Sequence, residues 1–158
     1  MSAEDRTQDS RSNLATYAVS ATAESPMRTR VSTRGFEFVI DEPENFGGTD
    51  EGPNPLEYLL GALTGCLTIT GHLVAREMGL DVNGLEINVE GDLNPAKFMG
   101  ASDDARAGYQ VVRVEFVADI DADEETIESW IAATEERCPV TDNMNHDTPF
   151  EFAFVSSS

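Results

Sequence analysis

The amino-terminal part of the chain alternates apolar and polar residues in three short runs. These runs are LATYAVSA, MRTRVST and FEFVI, and the pairs Ser25-Pro26 and Arg34-Gly35 between them are typical of turns. Alternation with a period of two places apolar side chains on one face of a strand. Residues 13 to 40 therefore predict three strands in a meander. Residues 41 to 55 concentrate Pro, Gly and Asp and predict a long loop, and such loops in compact domains are often functional.

The next part of the chain carries strong signals for a helix. Asn54 can cap its first turn, Pro55 suits the first helical position, and Glu57 interacts favourably with the positive end of the helix dipole. We expect the helix to continue to about Met78 and to stop at Gly79.

This predicted helix has a broad apolar face. The apolar residues at helical spacing are Leu56, Leu59, Leu60, Leu63, Leu67 and Val74, with Cys66 among them. Gly61 and Gly65 lie one turn apart and lower the helix propensity. We therefore expect another element to approach the helix backbone closely there, and a helix this apolar needs neighbours on more than one side.

Three further strands are expected in the rest of the chain. Residues 85 to 93 and residues 109 to 120 alternate as strands, and the segment between them predicts a loop or flap. Residues 149 to 155, PFEFAFV, alternate in the same way and predict a closing strand. Together with the helices, this order of elements is typical of an α+β fold.

A second helix is predicted before the closing strand. It begins near Asp121 to Asp123, which are plausible caps, and its apolar face consists of Ile127, Trp130, Ile131 and Thr134. One more turn brings that face to Cys138. Pro139 then ends the helix.

The charge and the length of the chain limit the number of domains and the kinds of partner that we expect. The 158 residues suit one domain over residues 13 to 158, and the polar residues 1 to 12 predict a disordered tail. With 30 acidic and 10 basic residues the net charge is -20, which repels nucleic acids and anionic membranes, so neither is expected as a partner. Small and polar residues interrupt the apolar segment 56 to 74, so we expect no membrane span and a soluble cytoplasmic protein. We expect the excess of acidic residues to reflect adaptation to a salty cytoplasm.

The chemistry of the chain is expected to lie in its two cysteines, Cys66 and Cys138. One interpretation is a redox couple, in which one thiolate attacks an oxidant and the other condenses with the resulting sulfenic acid. The other interpretation is two structural cysteines in the core, and the residues alone leave both open. A zinc site with His72 and His146 is a weaker alternative because the spacings match no recurrent ligand pattern. We therefore expect no metal and no cofactor.

Two segments resemble a known family. The run DEPENFGGTDEGPNPLEYLLGALTGCLTITGHLVAREMG and the later EERCPVTDN are similar to the OsmC/Ohr family of hydroperoxide-detoxifying proteins, over about residues 14 to 155. The resemblance implies an OsmC-like α+β fold in which antiparallel sheets wrap around two central helices in an intertwined homodimer. It also implies that Cys66 is the peroxidatic cysteine and Cys138 the resolving one.

The resemblance implies an activating pair as well, and here the sequence departs from the family. Family members that reduce organic hydroperoxides use an arginine of the amino-terminal strands, supported by a glutamate directly after the proline of the first helix. Here Leu56 follows that proline and Glu57 comes one position late, which turns it by about 100 degrees around the helix. Arg28 and Arg30 are the candidate arginines, although each also suits a surface ion pair. The departure suggests the OsmC-like branch of the family.

The function implied is a stress-defence peroxidase. A small organic hydroperoxide would be reduced through a Cys66/Cys138 dithiol and disulfide cycle, and a thiol reductant would restore the dithiol. Phe98 and Met99, in the loop after the fourth predicted strand, are candidates for an apolar substrate pocket, or they pack that loop onto the core. The alternative function is a non-catalytic ligand-binding or redox-sensing domain on the same fold.

Overall fold

A computed structural model describes residues 14 to 156 of the chain. The chain divides into two compact units, Met1–Pro55 and Leu56–Ser158. The predicted tail over residues 1 to 12 lies outside the described residues. A single domain over residues 13 to 158 stays a prediction.

The first unit contains a three-stranded antiparallel sheet in the order of the sequence. Its strands are β1 (Ser20–Ala23), β2 (Arg28–Thr33) and β3 (Phe36–Asp41). The two-residue turn between β2 and β3 places Arg34 at φ 52° and Gly35 at φ 101°, which matches the twist of a hairpin. The predicted meander is confirmed, although β1 is shorter than the alternating run that predicted it.

One buried carboxylate organises the loop after β3. Asp41 is fully buried, and its Oδ2 accepts hydrogen bonds from the Thr49 hydroxyl at 2.6 Å and from the Glu51 backbone N–H at 3.1 Å. A Cβ atom on Gly48 would lie 1.7 Å from the carbonyl oxygen of Glu42, so only glycine fits there. The loop is largely irregular, as the sequence predicted. One short 3₁₀ turn, Glu44–Phe46, interrupts it.

The predicted long helix, α1 (Pro55–Met78), lies in the second unit apart from its first residue. The helix ends where Gly79 adopts a left-handed backbone, at φ 72°. By length and composition α1 could cross a membrane, with a mean hydropathy of 1.4 over its most apolar window. The small and polar residues within this segment had predicted that it would not. The same criterion is met by core helices of soluble proteins, and α1 contributes Leu63 and Leu67 to the core.

Two strands and two helices follow α1. Strands β4 (Val82–Asp92) and β5 (Val111–Ile120) form an antiparallel pair with a bulge near Asn83, and helices α2 (Glu124–Arg137) and α3 (Pro139–Asn145) follow them. The α2 cap is as predicted, since the Asp123 carboxylate accepts a hydrogen bond from the Thr126 N–H at 2.8 Å.

Near the carboxyl terminus the structure adds one helix that was not predicted and corrects one predicted strand. Pro139 ends α2 but also begins α3, because a proline has no N–H and is well suited to a first helical turn. Residues 149 to 155 are not a strand, and Phe150, Phe152 and Phe154 are largely exposed. Alternation marks which side chains share a face, but a strand also needs an edge to pair with.

The core of the second unit packs α1 against α2 and the two-stranded sheet. Trp130 of α2 is fully buried and donates a hydrogen bond from its indole N–H to the carbonyl oxygen of Gly71, at 2.8 Å. A Cβ atom on Gly71 would lie 3.3 Å from the Trp130 ring and 3.4 Å from Leu85. The glycine therefore allows the indole to lie directly against the backbone of α1.

Candidate functional site

The fold brings the two cysteines together inside the second unit. Cys66 lies in the middle of α1, and Cys138 occupies the single position between α2 and α3. Both are free thiols, and their side chains pack in one apolar cluster with Leu63 and Leu67, where each thiol affects the pKa of the other. Two thiols in contact are the arrangement from which a disulfide can form.

The two thiols differ in their access to solvent. Cys138 is 0 % exposed, whereas Cys66 is only partly buried. The small neighbour Gly65 leaves open space beside Cys66, because no atom lies within 4 Å of the place where its Cβ would be. Of the two sulfur atoms, a small molecule from solvent would therefore meet that of Cys66 first.

Cys138 is held by the ends of two helices at once. Its backbone N–H donates to the Glu135 carbonyl at 3.3 Å, which closes α2, and its sulfur accepts a hydrogen bond from the Thr141 N–H at 3.5 Å, which opens α3. Sulfur thus takes the place that a Ser or Asp oxygen usually has at a helix start. The position of this sulfur is fixed by main-chain contacts on both sides.

The surroundings change the acidity of the two thiols in opposite directions. Burial raises the pKa of the Cys66 thiol, and its hydrogen bond with Cys138 raises it further. Burial alone would also raise the pKa of Cys138, but the polar groups around its sulfur, among them the Thr141 backbone N–H, outweigh burial, so the pKa of Cys138 is lowered.

A groove of about 1340 Å³ lies beside the cysteine pair in the second unit. Its apolar wall includes Leu59, Leu63, Leu67, Phe116, Val140 and Met144. Polar groups stand along its margin, among them Arg106, Glu135 and His146. Neither cysteine lines the groove, but Leu63, Leu67 and Val140 both line it and pack around the cysteines, so these side chains lie between the groove and the dithiol.

Glu57 lies in the first turn of α1, near Tyr109. Burial raises the pKa of the Tyr109 hydroxyl, and the charge of Glu57 raises it further. That hydroxyl donates to the carbonyl oxygen of Leu56 at 3.0 Å, and Gly91 leaves room for the ring, since a Cβ there would lie 2.5 Å from it. Tyr109 thus fixes the start of α1 beside Glu57, a contact that the sequence pattern did not indicate.

Arg28 and Arg30 belong to β2 in the first unit. Arg28 forms ion pairs with Glu24 at 3.1 Å and with Glu51 at 2.6 Å, and Arg30 pairs with Glu24 at 2.7 Å. Both arginines therefore have carboxylate partners, as expected of surface residues in so acidic a chain. Their role as the cation that activates Cys66 stays a prediction.

Phe98 and Met99 lie in the loop between β4 and β5. They are 77 % and 62 % exposed, so neither side chain is packed into the core, and neither lines the groove. Their role in a substrate pocket stays a prediction. Across residues 14 to 156, no three His, Cys, Asp or Glu side chains lie close enough together to hold a metal ion.

Comparisons with known proteins agree with this fold. A family model described as "OsmC-like protein" matches residues 48–153 of this chain. Among curated proteins, none matches the chain. An OsmC-like protein from Mycoplasma pneumoniae has a similar structure, with 21% identity, a TM-score of 0.72, and coverage of 83% of this chain and 88% of that one.

Two further solved structures carry names that refer to hydroperoxides. An organic hydroperoxide resistance protein OsmC from Legionella pneumophila has 19% identity and a TM-score of 0.60, covering 83% of this chain and 90% of that one. An organic hydroperoxide resistance protein from Elizabethkingia anophelis has 19% identity and a TM-score of 0.52, covering 82% and 88%. At these identities the likeness shows the fold, and the family match covers most of the chain. This protein, an α+β chain with its dithiol between α1 and α2, belongs to the OsmC-like family.

Proposed function

We propose that this protein is a thiol-dependent peroxidase that reduces small organic hydroperoxides through Cys66 and Cys138. The observation that carries the proposal is the contact between these two thiols, which lie far apart in the sequence. The names of the Legionella and Elizabethkingia proteins, which refer to resistance against organic hydroperoxides, support the same substrate class.

The proposed cycle has three steps. The Cys66 thiolate attacks a peroxide oxygen, the O–O bond breaks, the alcohol leaves after taking up a proton, and Cys66 becomes a sulfenic acid. The sulfur of Cys138 then attacks that of Cys66, so that a disulfide forms and the hydroxyl leaves as water. An external thiol finally reduces the disulfide by exchange. No metal or cofactor takes part.

The different exposure of the two thiols supports this division of roles. Cys66 is partly exposed, so a hydroperoxide from solvent can reach its sulfur, whereas the apolar groove is separated from it by Leu63 and Leu67. Cys138 is fully buried but in contact with Cys66, as a resolving cysteine must be.

The test is peroxide consumption with several thiol donors, for the wild type and two cysteine variants. Cys66→Ser should abolish turnover, whereas Cys138→Ser should still react once and accumulate a sulfenic acid that a dimedone-type reagent traps. Thr68→Val is a matched control on α1, because the Thr68 hydroxyl bonds only the Thr64 carbonyl of its own helix, at 2.8 Å. The proposal fails if both cysteine variants keep full turnover.

A cation near Cys66 would be needed to hold its thiolate, because burial raises the pKa of this thiol in the second unit. We expect Arg28 or Arg30 to supply the charge, with Glu57 as the supporting carboxylate. Arg28→Lys and Arg30→Lys, which keep the charge, should then retain more activity than Arg28→Ala and Arg30→Ala. Equal activity in all four variants would remove both residues from the mechanism.

The active form is proposed to be a homodimer. One face of α1 is left open, since no described atom lies within 4 Å of the Cβ positions of Gly61 and Gly65, and Ile69 and Leu73 on the same face are 65 % and 41 % exposed. Gly65→Glu should therefore dissociate the dimer in size-exclusion chromatography at high salt. Ala132→Glu, on the exposed face of α2, is the control and should leave the elution volume unchanged.

A second candidate function is non-catalytic binding of an apolar ligand or sensing of an oxidant. The large groove and the raised pKa of Cys66 favour it, as does the position of Glu57, which is one residue later than in the peroxidases that the chain resembles. This alternative predicts negligible turnover with every thiol donor, together with an apolar ligand that co-purifies with the protein and is identified by native mass spectrometry.

A further inference from the structure

We propose that the groove of the second unit is a binding site for a bulky, uncharged, apolar molecule, and that residues 94 to 108 form its lid. The site is separate from the dithiol, because Leu63 and Leu67 lie between the groove and the two cysteines. The proposal gives the second candidate function a chemical class of ligand, and binding at this site does not depend on peroxide reduction.

The size and the lining of the groove indicate what it can hold. Its volume of about 1340 Å³ is larger than the roughly 300–1,000 Å³ of pockets that bind drug-sized molecules. Helix α1, strand β5 and helix α3 all contribute apolar side chains to its wall, among them Ala62, Val114 and Met144. A bulky apolar molecule would remove more of this wall from water than a small hydroperoxide could cover.

The charges around the groove disfavour a charged ligand. The positive charge of Arg106 is outnumbered by the carboxylates of Glu135 and Asp147, in a chain whose net charge is -20. An anion would therefore be repelled, and a cation would have to leave water for an apolar wall. The other polar side chains of the lining that carry amides or hydroxyls are those of Gln110, Thr141, Asn143, Asn145 and Thr148. An uncharged molecule suits this margin best.

Residues 94 to 108 form a separate body that is attached only at its base. Within residues 14 to 156, the hydrogen bonds and the ion pair of this loop join only residues between 92 and 110. Gln110 closes the base, because its side chain accepts a hydrogen bond from the Asn94 N–H at 2.5 Å and donates one to the Gly108 carbonyl at 2.7 Å. A loop held in this way can move as one body about its base.

The loop borders the groove at one end and carries exposed apolar side chains at its tip. Arg106 and Gly108 line the groove, whereas Phe98 and Met99 at the tip are 77 % and 62 % exposed. Closure over an apolar ligand would bury both tip side chains, and this burial would stabilise the closed form only when the groove is filled. The two residues that the sequence placed in a substrate pocket would then cover the ligand.

The test measures binding of N-phenyl-1-naphthylamine, an uncharged dye whose fluorescence rises in an apolar site, at high salt. Ala62→Trp fills the groove from an exposed position on α1 and should weaken dye binding by about tenfold or more. Ala132→Trp makes the same exchange on α2, outside the groove lining, and should have no effect. Dodecanol should displace the dye at a lower concentration than dodecanoate, which has the same chain and a negative charge.

Lid closure is followed in the Phe98→Trp variant. Since the native Trp130 is buried, acrylamide quenches mainly the new indole, and dodecanol should reduce this quenching. Val117→Trp, at an exposed position of β5 outside the groove lining, is the control and should show no change. Replacing Phe98 and Met99 together by Ser should weaken dye binding severalfold, because closure then buries less apolar surface.

Each part of the proposal has an outcome that overturns it. Unchanged dye binding in Ala62→Trp removes the binding site, tighter binding of dodecanoate removes the uncharged class of ligand, and unchanged quenching of Phe98→Trp removes the lid. The proposal also fails if the wild type does not bind the dye. Dye binding that appears only in Gly65→Glu would assign the groove to a second copy of the chain. A protein that binds the dye but reduces no peroxide would refute the peroxidase function alone.

Discussion

Arg137 holds both carboxylate oxygens of Glu77, with Nη2 lying 3.1 Å from Oε1 and Nη1 still closer to Oε2. Glu77 is in the last turn of α1, the helix that carries Cys66, and Arg137 directly precedes Cys138. The ion pair therefore joins the two elements that carry the thiols, and it lowers the pKa of Glu77 through its hydrogen bonds with Arg137.

Because this ion pair is exposed to solvent, we expect it to affect the position of α2 against α1 more than the free energy of unfolding. Glu77→Gln should lower the urea midpoint only slightly, and the change should shrink at high salt, which screens exposed charges. Disulfide formation after one equivalent of peroxide should slow severalfold, because α2 is held less firmly against α1. Stopped-flow loss of free thiol measures the rate. A large, salt-independent loss of stability would mean that the pair has a different role.

The indole of Trp130 is expected to contribute strongly to the stability of the second unit. Trp130→Phe removes the hydrogen bond to the Gly71 carbonyl and leaves a small void in the core. The expected loss is about 1–3 kcal/mol in the free energy of unfolding, from the hydrogen bond and the void together. Urea denaturation followed by circular dichroism measures this loss. An unchanged midpoint would show that the close contact between α1 and α2 is not required.

Asp41 should make the stability of the first unit depend on pH. Hydrogen bonds from the Thr49 side chain and from backbone N–H groups lower the pKa of Asp41 below its ordinary value, although burial opposes them. The unfolded chain therefore binds the proton more readily, so the carboxylate stabilises the fold above about pH 4, and this contribution is lost as pH falls through the lower pKa of the folded state.

Asp41→Asn tests this dependence directly. The variant should be less stable than the wild type at neutral pH, and the difference should diminish as the solution is acidified below about pH 4. Hydrogen exchange of the Thr49 and Glu51 amides reports on the loop itself. A difference that is independent of pH would mean that packing, and not the charge of Asp41, holds the loop.

The electrostatic effect of Glu57 on Tyr109 predicts a measurable change in a tyrosine titration. Burial is the larger cause of the raised pKa of Tyr109, and the charge of Glu57 adds to it. Glu57→Gln should therefore lower the pKa of Tyr109 while leaving it above the ordinary value. Phenolate absorbance in a background without Tyr17 and Tyr58 isolates the signal, and Glu128→Gln, on α2, serves as the control. An unchanged pKa would separate Glu57 from this site.

The elements that the sequence predicted well are those with explicit chemical boundaries. Helix α1 begins at Pro55 and ends at Met78 as predicted, because a proline and a left-handed glycine fix its two ends locally. The amino-terminal meander was also predicted, since Arg34 and Gly35 suit the turn between its last two strands.

The features that the sequence did not predict depend on distant partners. The sequence did not predict helix α3, because a proline after a helical pattern indicates the end of that helix, although the same residue can also begin the next one. The contact between Cys66 and Cys138 followed from a family resemblance and not from their spacing, because no local pattern reports which helices pack together.

Cys138 has no linker on either side, because it closes α2 and opens α3 in one step. Inserting or deleting a residue between Arg137 and Pro139 would swing the thiol away from α1 by a large rotation, whereas most changes of side chain nearby would leave it in place. Length at this joint should therefore be under far stricter constraint than composition, and natural variation in this segment should take the form of substitutions and not of gaps.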